Sequence, residues 1–459
     1  MRTLLLRNAH AIATFDAELR ELHDASILVR DNAIEAIGPA AQIEARADAT
    51  IDCSRLVLLP GLINTHHHFY QTLTRSVPGT QDAALFDWLQ TLYPLWARMT
   101  PEAIRIATQI AIAELLLSGC TTSSDHTYVW PNGARIDDQI EAARVMGFRF
   151  HAGRGSMSLG QSKGGLPPDD LVEDETAILK DTQRAIDTYH DSERYAMTRI
   201  VVAPCSPFSV SPDLMRESIA LARSARVHAH THLAETLDEE RFCIEHFGCR
   251  PIELAERLEW VGEDVWHAHV VHPSAPECER LGATRTGVAY CATSNMRLGS
   301  GIAPIGALRI AGARIGIGVD GSASNDSSNM LDEVRQAMLL QRLTCHPEES
   351  KDPETSKGFL TARDALFMAT RGGAQVLGRD DIAMLAPGMA ADIAGWSVDA
   401  LELAGGVVHD PIASLVFCRP QRAELVIVNG RVRVEHGDLV GFDMPATVYR
   451  ANQIARGLV

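Results

Sequence analysis

The chain has 459 residues, of which 46% are hydrophobic and 22% charged, and its net charge is −17. That length exceeds one ordinary domain but suits an α/β barrel with an accessory domain. The charge opposes a nucleic-acid backbone and an anionic membrane surface, and is compatible with a small neutral or cationic substrate.

Residues 1–57 read as short strands with turns: Thr3–Leu6, Ala25–Val29 and Ala33–Ile37, with Asp31-Asn32 as a hairpin-type turn. The opening Met1-Arg2-Thr3-Leu4-Leu5-Leu6 is broken by Arg7, which argues against a signal peptide. Across 58–384, apolar strand patterns at 56–66, 121–127, 149–156, 198–206, 226–234, 265–271, 287–293 and 314–320 alternate with helical ones. Those helical patterns include Pro101–Ser118, Asp174–Tyr189, Pro212–Ala225, Pro304–Ala311, Met330–Leu343 and Ala362–Leu377. Eight strands alternating with helices predict parallel pairing and a closed (β/α)8 barrel. A doubly wound dinucleotide fold lacks support, because no GxGxxG follows the first strand. Residues 385–459 return to strand patterns at Asp392–Trp396, Leu425–Val428 and Val432–Glu435, with Asn429-Gly430 as a two-residue hairpin signal. The two ends together predict a small, discontinuous β-sandwich domain. Nine scattered cysteines without a CxxC predict reduced thiols, and no run is long enough to span a bilayer. A cytoplasmic protein is expected.

Half of the eighteen histidines fall in three clusters: His66-His67-His68, His228/His230/His232 and His267/His269/His272. Imidazole is the commonest metal ligand, and barrel enzymes work at the C-terminal ends of their strands, where these clusters lie. Residues two apart on a strand share a face, which groups His66 with His68, His228 with His230 and His232, and His267 with His269. Strand eight closes on Asp320. A lone histidine in an apolar strand more often packs than ligates. Four ligand-type groups at matching strand ends, His66, His68, His232 and Asp320, instead predict one divalent zinc or iron with a position left for water. His67, His228, His230, His267 and His272 are expected in supporting or core positions. Glu235, just past His232, is placed to shuttle a proton between water and substrate. Strand four contains no lysine of the kind that, carbamylated, bridges two metals in many barrels; one metal is expected.

The motifs Pro60-Gly61-Leu62-Ile63-Asn64-Thr65-His66-His67-His68, His230-Thr231-His232-Leu233-Ala234-Glu235-Thr236, Ala268-His269-Val270-Val271-His272 and Gly318-Val319-Asp320-Gly321 resemble the amidohydrolase superfamily. Thr293-Ser294-Asn295-Met296-Arg297-Leu298-Gly299-Ser300-Gly301 and Pro387-Gly388-Met389-Ala390-Ala391-Asp392 complete the order. Within the superfamily, the chain is similar to the mononuclear deaminases of the cytosine/guanine deaminase and triazine hydrolase group, over essentially its whole length. The resemblance implies that Asp320 and His269 take the proton of the attacking water while Glu235 protonates the ring nitrogen beside the attacked carbon, releasing ammonia. The segments Arg154–Gly160 and Gly164–Asp169 look like the branch that holds 8-oxoguanine deaminases and hydroxytriazine aminohydrolases. Gln71 and Arg154 are then candidate readers of ring amide and carbonyl groups, and Trp88 a candidate wall over a flat ring. Cys205 stands where many relatives carry histidine, which disfavours adenosine-type substrates. The implied reaction is conversion of free 8-oxoguanine to urate and ammonia; the alternatives are a hydroxytriazine or a pterin, or a degenerate barrel that only binds. Barrels of this type often self-associate, so a homo-oligomer is expected.

Overall fold

A computed structural model describes residues 2–43, 46–344, 359–420 and 422–459. Eight parallel strands close into a barrel: Leu62–Asn64, Cys120–Thr127, Arg149–Ser156, Thr198–Pro204, His228–Leu233, Val265–His269, Gly287–Tyr290 and Arg314–Ile317, in that order around the ring. Helices between them start on local signals. Thr100, Asp174 and Ser211 each accept a backbone N–H three residues on, at the heads of Pro101–Leu117, Glu175–Tyr189 and Pro212–Ala225. The helical pattern over 362–377 is interrupted by a π-helical turn, Met368–Gly372. A Cβ on Gly372 would lie 2.5 Å from the Ile315 carbonyl, and one on the adjacent Gly373 would sit tightly against Ile63 at 3.0 Å.

The apolar run at 56–66 makes two strands rather than one. Leu56–Pro60 pairs antiparallel with Ile393–Ser397 in the terminal sheet, and only Leu62–Asn64 enters the barrel. Gly61 is the joint: the Thr121 side chain occupies the space a Cβ would need, 2.1 Å away.

The small domain expected from the two chain ends is present, built on one nine-stranded mixed sheet. Its order runs Asp438–Leu439, Arg431–Glu435, Leu425–Val428, Ile393–Ser397, Leu56–Pro60, Thr3–Ala13, Glu21–Arg30 and Ala33–Pro39, with Ala49–Asp52 also on Thr3–Ala13. The sheet curls until its two hairpins meet, Gly430 lying against the Asp31 carbonyl. Strand alternation builds two cores from one sheet. Leu56, Leu58, Ile393 and Ile427 close an inner cluster, while Val57, Leu59, Ala394 and Val428 join the core shared with the barrel. The C-terminal segment also carries helices the strand pattern did not suggest, Pro411–Cys418 and Met444–Leu458. None of the described helices is long and apolar enough to cross a membrane.

Candidate active site

At the C-terminal mouth of the barrel, three imidazoles and a carboxylate converge. His66 Nε2 and His68 Nε2 lie 3.1 and 3.3 Å from Asp320 Oδ1, and His68 Nε2 lies 3.1 Å from His232 Nε2. Each imidazole is fixed from behind. His68 Nδ1 donates to the His126 carbonyl (2.6 Å) and His232 Nδ1 to the Cys205 carbonyl (2.7 Å). His66 Nδ1 donates to His230 Nε2 (2.8 Å), because His230 uses its own Nδ1–H on the Trp266 carbonyl (2.9 Å). Those bonds set the tautomer, so all three Nε2 atoms present lone pairs to one point. Burial holds His66 and His232 well below the usual imidazole range, which keeps them neutral. His66 Nε2 is buried without a hydrogen-bond donor. Facing lone pairs 3.1 Å apart repel unless a cation lies among them, so the donor set fits a divalent metal.

Asp320 is held as an acceptor by Gly321 N (2.7 Å) and the Ser324 hydroxyl (3.2 Å). His269 Nε2 stands 3.6 Å from Glu235 Oε2 and 3.8 Å from Asp320 Oδ2, and its Nδ1 donates to Asn295 Oδ1 (2.9 Å). Glu235 is fully buried; burial first, and then the charge of Asp320, pushes its carboxyl up to about 8. It is thus a carboxylic acid at neutral pH.

Strand parity does not explain His269. On strand six Trp266 lies beside His230 and faces inward, while His267 faces outward to the Trp260 carbonyl (3.0 Å). A regular strand would send His269 outward with His267. Left-handed backbone at His269 (φ 72°) and Val270 (φ 47°) turns it into the mouth instead, and Asp320 (φ 62°) sits in the same region. Such geometry in non-glycine residues costs about 1 kcal/mol or more each and gathers at functional sites.

A small cavity opens beside this cluster. Gln71, Trp88 and Cys205 line it, and Tyr128, Phe208, Leu85, Leu89 and Leu298 are also in its walls. Both Gln71 amide atoms are buried without a partner. Trp88 is anchored by its Nε1–H on the Ala323 carbonyl (3.1 Å), and burial pushes the Cys205 thiol up to about 12, so it stays neutral.

Arg154 departs from expectation. It shares a strand face with Phe150 and Ala152, which point into the helix-side core, and its guanidinium is committed to Glu173 (2.7 Å), Asp181 (2.8 Å) and the Gly155 carbonyl. It does not line the cavity and has no fork left for a substrate. His67 turns away to Ser328 (2.9 Å), His272 bonds the Ser300 carbonyl, and His228 packs under Gly378, all outside the cluster. Sequence reasoning missed His126, which stacks on His232 at 4.7 Å, and gave Asn295 and Ser324 no role. A histidine near the end of the second strand pattern was the only available signal.

The amidohydrolase family profile matches residues 57–433. An 8-oxoguanine deaminase from Pseudomonas aeruginosa is 48% identical over 436 residues, 94% of each chain. A hydroxydechloroatrazine ethylaminohydrolase from Pseudomonas sp. strain ADP is 36% identical over 475 aligned residues, covering all of this chain and 96% of the relative. Among solved structures, atrazine chlorohydrolase from Arthrobacter aurescens complexed with zinc superposes with a TM-score of 0.91 at 35% identity, over 98% of this chain and all of that one. With fold, donor set and sequence in agreement over this span, the chain belongs to the amidohydrolase family.

Proposed function

We propose that this enzyme deaminates a free purine base, 8-oxoguanine, to urate and ammonia. The observation that carries the reading is Gln71. Its amide presents a buried donor and a buried acceptor, both unpaired, to a small cavity that also holds Glu235 and the metal-type cluster. A lactam edge offers the complementary acceptor and donor, and a site built for such a pair rejects rings that lack it. The 48% identity to an 8-oxoguanine deaminase supports the same substrate.

His66, His68, His232 and Asp320 would hold the metal, with zinc favoured by the zinc-complexed neighbour. When bound, the cation supplies the Lewis acidity that makes a proton of water removable near neutral pH. His269 and Asp320 would take that proton. Glu235, neutral and facing His269, would give its proton to the ring nitrogen beside the aminated carbon as the water oxygen adds there. The proton held by His269 and Asp320 would then pass to the amine nitrogen, the carbon–amine bond breaks and ammonia leaves, while the Glu235 carboxylate takes back the proton of the added hydroxyl. The fixed Nδ1 bonds keep these groups aimed with little reorganisation.

A second reading, amine removal from a hydroxytriazine, is favoured by the 36% identity over the whole chain. Release of ammonia from 8-oxoguanine and guanine, and of the alkylamine from an N-alkylamino hydroxytriazine, by zinc-loaded protein separates the two. Preference for 8-oxoguanine is expected; turnover of the triazine alone would overturn the purine assignment. The proposal places the enzyme in the cytoplasm, supported by eight free thiols among the described residues, and in a homo-oligomer, to be tested by sedimentation.

A further inference from the structure

Thr236-Leu237-Asp238-Glu239 reads as a capping box, in which the glutamate would reach back to the backbone N–H of the cap residue. Thr236 does cap the helix Leu237–Phe247, its hydroxyl accepting Glu239 N at 3.3 Å. The Glu239 carboxylate, however, reaches further upstream. Its Oε1 accepts Ala234 N at 2.9 Å and its Oε2 accepts Glu235 N at 2.8 Å. Glu239 is fully buried and contributes no atom to the cavity wall.

The turn it grips is the one that aims the acid. Ala234 has left-handed backbone (φ 53°), unfavourable for any residue with a Cβ. Its carbonyl is in turn bonded by Val271 N (2.9 Å) and His272 N (3.0 Å), and the Leu233 carbonyl by Val270 N (3.2 Å). The strained turns that present Glu235 and His269 are therefore laced together, and Glu239 closes the lace by accepting two successive N–H groups with one carboxylate.

We propose that Glu239 is a positioning residue for the proton transfer: it fixes the Ala234–Glu235 turn so that the Glu235 carboxyl stays beside His269 and the reacting ring nitrogen. The proposal rests on the acid role given to Glu235 above. It assigns Glu239 no contact with substrate or metal.

The test is a double-mutant cycle on zinc-loaded protein, comparing wild type, Glu235→Gln, Glu239→Gln and the double variant for kcat and KM, with zinc content measured in each. Glu239→Gln puts an amide NH2 against one of the two N–H groups it must accept. We expect kcat to fall about 100-fold, the loss that a misplacement of about 1 Å between reacting groups can cause, with KM within about threefold and zinc unchanged. In the Glu235→Gln background the same change should cost almost nothing, because the acid it aims is already gone. An unchanged kcat in the single variant, or an equal loss in both backgrounds, overturns the proposal. If Glu239→Gln does not fold, Ala234→Gly, which relieves the left-handed strain, is added to all four proteins and the same cycle read. A wild type inactive on 8-oxoguanine would sink the substrate reading, and an undiminished Glu235→Gln the acid role, so those failures are separable from failure of the clamp.

Discussion

Glu235→Gln removes the ionisable acid while keeping its shape, and kcat should drop by about 10²- to 10⁴-fold with zinc content intact. The wild-type pH profile carries the same information. An acid must be protonated to act, and Glu235 is pushed up to about 8 by burial and by Asp320, so kcat should hold below that pH and fall above it. A profile still rising through pH 9 would show that another group limits the reaction. Gln71→Leu deletes both halves of the amide and should lower kcat/KM for 8-oxoguanine by about 10- to 100-fold, read from steady-state kinetics; an unchanged value would remove Gln71 from recognition. How far the sequence reached is visible in these residues. The histidine motifs and Asp320 follow strand ends, which periodicity locates; Gln71 and Cys205 lie close to strand ends in sequence, whereas Trp88 comes from the helix Leu85–Trp96. Arg154 was misplaced because strand ends do not reveal which face a residue occupies. His269 came from its motif alone: the φ of 72° that turns it inward leaves no periodic trace.

Among elements, both hairpins were legible because their turns need residues tolerant of left-handed backbone. Asp31 (φ 54°) joins Glu21–Arg30 to Ala33–Pro39, and Asn429 (φ 50°) with Gly430 (φ 75°) joins Leu425–Val428 to Arg431–Glu435. The division at Gly61 was not, since an unbroken apolar run cannot say which sheet each half will join. Nor was the single curled sheet, whose pairing brings residues 56–60 beside 393–397. The helix Met444–Leu458 did leave a signal, an Asp443 cap followed by Pro445, which the strand-like context obscured. What joins barrel to sheet is also long-range: Arg149, fully buried on strand three, makes a two-pronged pair with Asp392 (2.9 and 3.1 Å), which also accepts Asn429 N (2.6 Å). Asp392→Asn should strand that guanidinium in a dry site and cost about 3–5 kcal/mol. Urea unfolding measures it, and a loss below 1 kcal/mol would mean that the barrel and sheet do not depend on the pair.

For the whole molecule, the metal-type cluster joins strands far apart in sequence, since its donors come from the ends of strands one, five and eight. With no cation, three imidazole lone pairs and a carboxylate converge in a buried space, so the folded chain carries repulsion there that the unfolded chain does not. A ligand that binds only the folded state stabilises it by RT ln(1 + [L]/Kd), about 4 kcal/mol at a thousandfold excess over Kd. Stripping the protein with a chelator should therefore abolish ammonia release and lower the melting temperature together, and added zinc should restore both at one equivalent per chain. The stoichiometry discriminates between mechanisms, because strand four, Thr198–Pro204, has no lysine to bridge a second ion. Recovery only at two equivalents would require a second site and a different assignment of His269 and Asp320. Lost activity with an unchanged melting temperature would mean that the cluster is held open by the His126, Cys205 and Trp266 carbonyls behind its imidazoles, with the cation adding chemistry but no stability.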